Sequence, residues 1–278
     1  MIIDFHAHIF PSDIREKREN FFDGEPDFQC LYSAPGSKLS GAKELIRNMD
    51  SERIDKSVVF GFPWQKEDNF KRNNDYIMEN VEKYKDRLIG FSAFFPLAKG
   101  AEKEAERCIR SGFSGLGELA LYNSTLSKNV CKALMPIFEM AEKFDIPVLM
   151  HVNEPVGAHY PGKTNITLKE IYDLLQLFPN NKIILAHWGG GIFFYSLMKK
   201  AAKEVLKNVW FDTAASPYLY DKAIYPISIK IMGADKILFG SDFPLLEPAL
   251  YFEEMKEAGL SEDVIKKICG ENAELLLK

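Results

Sequence analysis

Residues 2–8 read IIDFHAH, a short apolar run that leads directly into two histidines. Short apolar runs of this kind are typical of strands that are buried on both faces of a parallel sheet. Similar runs recur along the whole chain. They predict eight strands, at residues 2–5, 57–60, 88–95, 114–118, 147–150, 182–186, 209–212 and 236–240.

The segments between these runs have helical periodicity. Ala101, Ala105 and Cys108, for example, follow a 3.6-residue period. Eight strands alternating with helices predict an α/β fold of the (β/α)8, or TIM barrel, type, and an open doubly wound sheet is the alternative. No linker or low-complexity tract divides the chain, so we predict a single domain over residues 1–278. The longest insertion, about residues 9–37, is a candidate substrate lid.

Composition narrows the classes of function. The formal net charge is −5 and no long Lys/Arg run is present, so we expect no nucleic-acid partner. The four cysteines are scattered without a CxxC pair, which is typical of reduced thiols. No apolar run is long enough to span a membrane, and the N-terminus lacks signal-peptide features. We therefore expect a cytoplasmic protein that acts on a small molecule. We also expect a homodimer, only because homodimers are the commonest soluble assembly.

Histidine and aspartate follow four of the predicted strands. His6 and His8 come at the end of the first run, His151 and His187 follow the fifth and sixth, and Asp242 closes the eighth. The carboxyl ends of barrel strands meet at one mouth, and His6 and His8 are two residues apart and so point the same way. These residues predict a divalent metal site in which zinc is favoured and manganese or iron is compatible.

Each of these residues alone has an ordinary structural explanation, because a single histidine at a strand end is more often a hydrogen-bonded core residue. The ordered combination on four strands is much harder to obtain by chance. Glu118, which ends the fourth run, is as readily a hydrogen-bonded carboxylate as a metal ligand. His159 is expected to be a loop residue or a substrate contact rather than a ligand.

Four motifs and the C-terminal pattern of residues 270–276 resemble the amidohydrolase-related branch of the amidohydrolase superfamily. The motifs are DFHAH at residues 4–8, MH at 150–151, AHWGGG at 186–191 and GSDFP at 240–244. The resemblance implies a barrel that holds a catalytic metal on His6, His8, His151 and Asp242. It further implies that His187 either binds a second metal or acts on the substrate. The branch includes hydrolases and also non-oxidative decarboxylases.

The fourth strand departs from the classical two-metal pattern, because Glu118 stands where those members have a lysine. In the related TatD-like deoxyribonucleases a glutamate at this point bridges two metals. The sequence therefore leaves open whether Glu118 is a ligand and whether the site holds one ion or two.

The resemblance favours a hydrolase that cleaves an amide, lactone or ester of a small molecule through metal-activated water. Asp242 would orient the water and take its proton, and His187 would stabilise the oxyanion or protonate the leaving group. The alternatives are a non-oxidative decarboxylase of a small unsaturated or aromatic acid, a TatD-like phosphodiesterase and a non-catalytic metal-binding protein.

Residues in the loops that follow the strands are candidates for substrate binding. Tyr160 and Lys163 lie after the fifth strand, Trp64 after the second and Trp188 after the sixth. The lysine is expected to pair with a substrate carboxylate.

Overall fold

The structure, a computed structural model, describes residues 1–278. It contains all eight predicted strands, four of them shorter than the apolar runs that predict them. They are β1 Ile3–His8, β2 Lys56–Phe60, β3 Leu88–Ser92, β4 Gly115–Leu119, β5 Val148–Met150, β6 Ile183–Leu185, β7 Val209–Asp212 and β8 Ile237–Leu238.

Helices fill the connections between the strands. The α-helices are α1 Ser12–Glu16, α2 Pro26–Tyr32, α3 Ala42–Glu52, α4 Glu67–Lys83, α5 Ala101–Arg110, α6 Lys128–Lys143, α7 Leu168–Leu177, α8 Ala201–Val205, α9 Ser216–Leu219, α10 Ile224–Met232, α11 Pro248–Glu257, α12 Glu262–Lys266 and α13 Asn272–Leu276. Three 3₁₀ segments (Arg18–Phe21, His187–Leu197 and Ala234–Lys236) and one π-helical turn (Lys267–Glu271) complete the chain. None of the helices combines the length and apolarity needed to cross a bilayer.

The sheet has the strand order β1-β2-β3-β4-β5-β6-β7-β8, and every neighbouring pair is parallel. Backbone hydrogen bonds from Phe5 to Phe239 (2.7 Å) and from His8 to Phe243 (2.8 Å) join the eighth strand region to β1. The fold is therefore the predicted (β/α)8 barrel, and not the open doubly wound sheet.

Alternation along the strands divides the apolar core into two clusters. Val58 and Phe60 belong to a cluster of 12 buried residues, whereas Val59 between them belongs to a cluster of 57 that includes the helices. The pairing register of β1 shifts between Asp4 and Ala7. Ile3 and Phe5 both belong to the smaller cluster, and the ring centroid of the next side chain, His6, lies 5.0 Å from that of Phe60.

The insertion after β1 carries α1, the first 3₁₀ segment and α2. Its last part, including Leu31 and Tyr32, lines the cavity at the carboxyl ends of the strands. The buried Glu25 anchors the insertion, because its carboxylate accepts hydrogen bonds from the backbone N–H groups of Gln65 and Lys66, both at 2.8 Å. The insertion therefore borders the cavity, and its role as a substrate lid stays a prediction.

Candidate metal centre and its cavity

A cavity of about 600 Å³ opens at the carboxyl ends of the strands. Polar groups from five strand ends meet in it, and its other walls are largely aromatic and apolar. The polar groups are His8, Glu118, His151, His187 and Asp242. The apolar and aromatic residues include Leu31, Tyr32, Phe62, Tyr122, Tyr160, Pro161, Tyr218, Leu219, Pro244 and Leu245.

His6 and His8 turn the same ring nitrogen towards one point. Their Nε2 atoms lie 3.3 Å apart. Nδ1 of His8 lies 2.9 Å from the carbonyl oxygen of Gly61, and Nδ1 of His6 lies 2.8 Å from the Asp212 carboxylate. Because a carbonyl and a carboxylate only accept hydrogen bonds, both Nδ1 atoms carry the hydrogen. In the neutral rings both Nε2 atoms then present lone pairs.

The second histidine pair follows the same rule. Nε2 of His151 donates to the carbonyl of Gly162 (2.9 Å), and Nδ1 of His187 donates to the carbonyl of Ala214 (2.9 Å). The remaining nitrogens, Nδ1 of His151 and Nε2 of His187, lie 3.3 Å apart. Nδ1 of His151 also lies 3.0 Å from the Glu118 carboxylate, which only accepts hydrogen bonds, so this nitrogen holds either a proton or a metal ion. In the first pair, the Nε2 lone pairs of neutral His6 and His8 would face each other, so that pair lacks a positive partner between its members.

Two carboxylates complete the donor set. Asp242 Oδ1 lies 3.6 Å from His6 Nε2 and 3.5 Å from His8 Nε2. Glu118 Oε1 lies 3.0 Å from His151 Nδ1 and 3.8 Å from both His6 Nε2 and His187 Nε2. Ligands bound to one ion at about 2.0–2.2 Å lie roughly 3–3.6 Å from one another. The donor types and most of these spacings therefore fit a divalent metal ion.

Glu118 belongs to two groups of close ligand atoms. One contains His6 and His8, the other contains His151 and His187, and within each group the ligand atoms lie within 4.8 Å of one another. The structure thus places Glu118 between the two histidine pairs, which separates it from an ordinary hydrogen-bonded carboxylate at a strand end.

The buried charges shift the pKa values of this centre strongly. Burial alone would lower the pKa of His6, but the carboxylates of Asp212, Glu118 and Asp242 raise it to about 10. Burial alone would raise the pKa of Glu118, but the neighbouring histidines lower it to about 2. Burial alone would also raise the pKa of Asp242, but interactions with His8, His6 and His187 lower it. Burial and the charge of His151 lower the pKa of His187. The carboxylates need positive charge, which protons or a metal ion can supply.

The loops after β6 and β8 hold their functional residues in left-handed backbone conformations. The φ angles are 54° at His187, 58° at Trp188 and 60° at Asp242. Non-glycine residues adopt this region at a cost, and such strain is often found at functional sites. Gly240 is required for a different reason, since a Cβ there would lie 2.8 Å from Cβ of His6.

Two of the predicted substrate contacts, Tyr160 and Lys163, differ in whether they line the cavity. Tyr160 lines the cavity, although its hydroxyl donates to Glu154 at 3.0 Å. Lys163 is absent from the wall, because its Nζ binds Glu154 (2.9 Å) and the carbonyls of Val156 (2.5 Å) and Ala158 (3.0 Å). Its charge is already compensated within the loop. The expectation that it pairs with a substrate carboxylate is therefore corrected.

The two predicted tryptophan contacts are also corrected. Trp64 and Trp188 are fully buried and neither reaches the cavity. The indole N–H of Trp64 donates to Asn73 (3.0 Å) and that of Trp188 donates to the Ser216 hydroxyl (2.9 Å). Burial of so large an apolar surface stabilises the core, which explains both placements. His159 is exposed in its loop.

The sequence analysis missed several residues of the site. Asp212, the last residue of β7, fixes His6, and its position at a strand end was a signal that could have revealed it. Tyr32 comes from the insertion, Lys38 directly follows it, and Tyr122 comes from the loop after β4. No motif marks these three, because only the tertiary packing of these segments brings them to the cavity.

Comparison with known proteins agrees with the fold. The sequence model of the amidohydrolase family matches residues 3–278. The 2-amino-3-carboxymuconate-6-semialdehyde decarboxylase of Dictyostelium discoideum is 24% identical over 335 residues, which cover 98% of this chain and 90% of that protein. The gamma-resorcylate decarboxylase of Polaromonas sp. is 25% identical over 254 residues, which cover 75% of this chain and 76% of that protein.

Among solved structures, the 5-carboxyvanillate decarboxylase of Novosphingobium aromaticivorans superposes with a TM-score of 0.77 at 19% identity, covering 100% of this chain and 96% of that one. That structure contains manganese and 4-hydroxy-3-methoxy-5-nitrobenzoic acid.

These findings correct the main functional prediction. The sequence favoured a hydrolase, but the matched relatives are non-oxidative decarboxylases, the activity that it held as an alternative. The two reactions share the metal-binding barrel, so motifs for metal ligands could not separate them. Because the family model matches nearly the whole chain, the protein is an enzyme that belongs to the amidohydrolase family.

Proposed function

We propose that this enzyme is a metal-dependent, non-oxidative decarboxylase of a small conjugated or aromatic carboxylic acid. The observation that carries the proposal is the shape and chemistry of the cavity. Aromatic and apolar walls lead to the His/carboxylate centre, and Lys38 is the only lysine or arginine among the lining residues. Such a cavity suits a planar acid whose carboxylate reaches the centre. The decarboxylase relatives support the same reaction.

The metal ion would be held by His6, His8, Glu118 and Asp242, whose ligand atoms converge as described. A divalent ion bound there would supply positive charge that orients the substrate carboxylate and stabilises the developing carbanion. Nitrogen and oxygen donors without thiolate accept zinc or manganese. We take manganese as the ion to test first because the Novosphingobium enzyme contains it. Glu118, His151 and His187 form a second donor group, so the metal-to-protein ratio distinguishes one ion from two.

The reaction requires a proton at the carbon that loses carbon dioxide, as in R–COO⁻ + H⁺ → R–H + CO₂. His187 points the lone pair of Nε2 into the centre, because its Nδ1–H donates to the Ala214 carbonyl. Nδ1 of His151 is paired with the Glu118 carboxylate. We assign delivery of the proton to Asp242. Its side chain is 17% exposed and lines the cavity, so it can take a proton from solvent and pass it to the carbon.

The walls contribute through desolvation. A carboxylate loses hydration when it enters an apolar cavity, whereas neutral carbon dioxide needs little hydration. Phe62 and Tyr122 stack with ring centroids 6.0 Å apart and form an apolar part of the wall. Loss of charge at the scissile carboxyl group is therefore favoured in this environment.

The test is release of carbon dioxide. Protein loaded with manganese or with zinc would be incubated with 5-carboxyvanillate and with gamma-resorcylate, and both carbon dioxide and the decarboxylated product would be measured. A His6→Ala/His8→Ala double variant, checked for metal content by elemental analysis, is the control. We expect stoichiometric carbon dioxide and product from the loaded wild type and none from the variant. A loaded wild type that opens lactones or amides, and releases no carbon dioxide from either acid, would refute the proposal.

A further inference from the structure

Two tyrosine hydroxyls in the cavity have no hydrogen-bond partner within the protein. Tyr32 and Tyr122 both line the cavity beside Glu118 and Asp242. Tyr122 is only 9% exposed, but its hydroxyl oxygen remains open to the cavity. Neither hydroxyl is sealed off from the cavity, so a ligand that enters it can provide the hydrogen-bond partner that the protein does not.

Aromatic packing fixes the orientation of both rings. The Tyr122 ring stacks on Phe62 with an interplanar angle of 10°, and its centroid lies 4.9 Å from that of His151. The Tyr32 ring packs against Phe28 (4.8 Å) and against the same Phe62 (5.9 Å). Because the shared Phe62 supports both rings, the two hydroxyls are held in place before any substrate enters.

Both hydroxyls act as hydrogen-bond donors. A phenol has an ordinary pKa of about 10, and burial raises the pKa of both tyrosines above that value. Neither phenol ionises near neutral pH, so each keeps a hydrogen to donate. The partner that fits is therefore an oxygen acceptor.

We propose that Tyr32 and Tyr122 form a clamp that donates hydrogen bonds to a second oxygen group of the substrate, a phenolic oxygen or a further carboxylate. The clamp would position the substrate by this second oxygen group while the scissile carboxylate faces the metal centre. The assignment of the scissile group rests on the proposed decarboxylation. The binding of the second oxygen group does not.

The other tyrosines of the cavity lack this property. The Tyr160 hydroxyl already donates to Glu154 at 3.0 Å. Tyr218 is 67% exposed at the rim, where water competes for its hydroxyl. Tyr160 therefore provides a matched control, because it lines the same cavity and its hydroxyl hydrogen is already donated to Glu154.

The test compares two ligands that cannot lose carbon dioxide. 2-Nitroresorcinol carries a nitro group in place of a carboxylate and two phenolic oxygens, and nitrobenzene lacks those oxygens. Their affinities for the manganese-loaded protein would be measured by calorimetry in wild type and in Tyr32→Phe, Tyr122→Phe and Tyr160→Phe variants. Melting temperature and metal content would be recorded for each variant.

We expect wild type to prefer 2-nitroresorcinol. Each of Tyr32→Phe and Tyr122→Phe should reduce that preference about 10- to 100-fold, the range for a hydrogen bond to a charged oxygen. Tyr160→Phe should keep the preference within about twofold. An equal preference in wild type and in both clamp variants would overturn the clamp, as would a wild type without any preference.

The carbon dioxide assay separates the two proposals. A tyrosine-dependent preference without carbon dioxide release from any acid would support the clamp and refute the decarboxylation. Carbon dioxide release, together with an unchanged preference for 2-nitroresorcinol in both tyrosine variants, would refute only the clamp.

Discussion

The carboxylate of Asp212 joins two histidines of the metal centre that are 181 positions apart in the chain. Its Oδ2 atom lies 2.8 Å from Nδ1 of His6, and its Oδ1 atom accepts the backbone N–H of His187 at 2.9 Å and that of Ala214 at 3.0 Å. Because the two backbone groups hold Oδ1 in place, Oδ2 is fixed towards His6. The same residue therefore sets the tautomer of His6 and the position of the loop after β6.

Replacing Asp212 with Asn should weaken metal binding by roughly 10- to 100-fold. The two backbone N–H groups would keep the amide oxygen, so the NH₂ group would face His6 and force Nδ1 to accept. The hydrogen of His6 would then sit on Nε2, where the lone pair is needed. Competition with a chromogenic chelator measures the affinity. Asp221→Asn, at an exposed turn where Asp221 accepts the N–H of Ala223, is the control. Unchanged affinity in a folded Asp212→Asn protein would contradict this role.

Replacing Asp242 with Asn should reduce carbon dioxide release by at least about 100-fold, because an amide cannot carry the proton to carbon. Initial rates would be compared at equal metal occupancy, since Asp242 also belongs to the donor set. We expect the melting temperature of the loaded variant to remain close to that of wild type. A near-normal rate at equal occupancy would show that another group supplies the proton.

Replacing Lys38 with Met should raise KM for acidic substrates roughly two- to fivefold and leave kcat almost unchanged. Nζ of Lys38 makes a single bond, to the Leu245 carbonyl at 3.3 Å, and forms no salt bridge. Its exposed charge can therefore attract an anion to the cavity. Steady-state kinetics at low and high salt would check this, because screening should abolish the difference. Lys43→Met, an exposed change on α3 away from the cavity, should have no effect.

Replacing Lys163 with Met should lower the free energy of unfolding by about 1–3 kcal/mol. The change leaves Glu154 and the carbonyls of Val156 and Ala158 without their buried ammonium partner. Urea unfolding measures the loss. Lys169→Met removes an exposed pair with Asp173 on α7 and should change stability far less. Equal effects of the two substitutions would mean that Lys163 contributes only as a surface charge.

Glu104 should make stability depend on pH in the acid range. Burial raises its pKa, but hydrogen bonds from Arg107 and Asn74 outweigh burial and hold the pKa below 4.5. A lowered pKa in the folded state means that the stabilisation is complete above the unfolded value, near 4.5, and is lost as the pH falls through the folded value.

The destabilisation caused by Glu104→Gln should accordingly be largest at neutral pH and shrink in acid. Thermal unfolding of both proteins between neutral and acid pH measures it. Glu106→Gln, which removes an exposed pair with Arg110, should have a small effect at every pH. A Glu104→Gln effect that does not change with pH would contradict the ionised state of this carboxylate.

Much of the fold and part of the site could be predicted from the sequence, because neighbouring residues encode them. A strand buried on both faces must be apolar along its length, so β2 and β6 appear as uninterrupted runs such as VVF and IIL. In a parallel barrel every strand ends at the same mouth, so His151 after β5 and Asp242 after β8 could be placed together from their strand positions alone.

The choice of reaction and the cavity walls could not be read in this way. Trp64 and Trp188 follow strands just as the histidines do, but their large apolar rings are stabilised more by the core than by the cavity. Tyr32 lies in an insertion whose path depends on long-range contacts, such as those made by Glu25. The hydrophobic periodicity of the sequence does not reveal where such a segment packs.

The sequence by itself determined the eight-stranded barrel and the histidines and aspartate at its mouth, because burial and strand direction are encoded by neighbouring residues. Only the tertiary structure decided which nitrogen each histidine turns inward, that Asp212 fixes His6, and that Tyr32 and Tyr122 face the cavity. These features depend on hydrogen-bond partners and packing contacts far apart in the chain, such as Asp212, which is 206 positions from His6. A one-dimensional pattern does not specify those contacts.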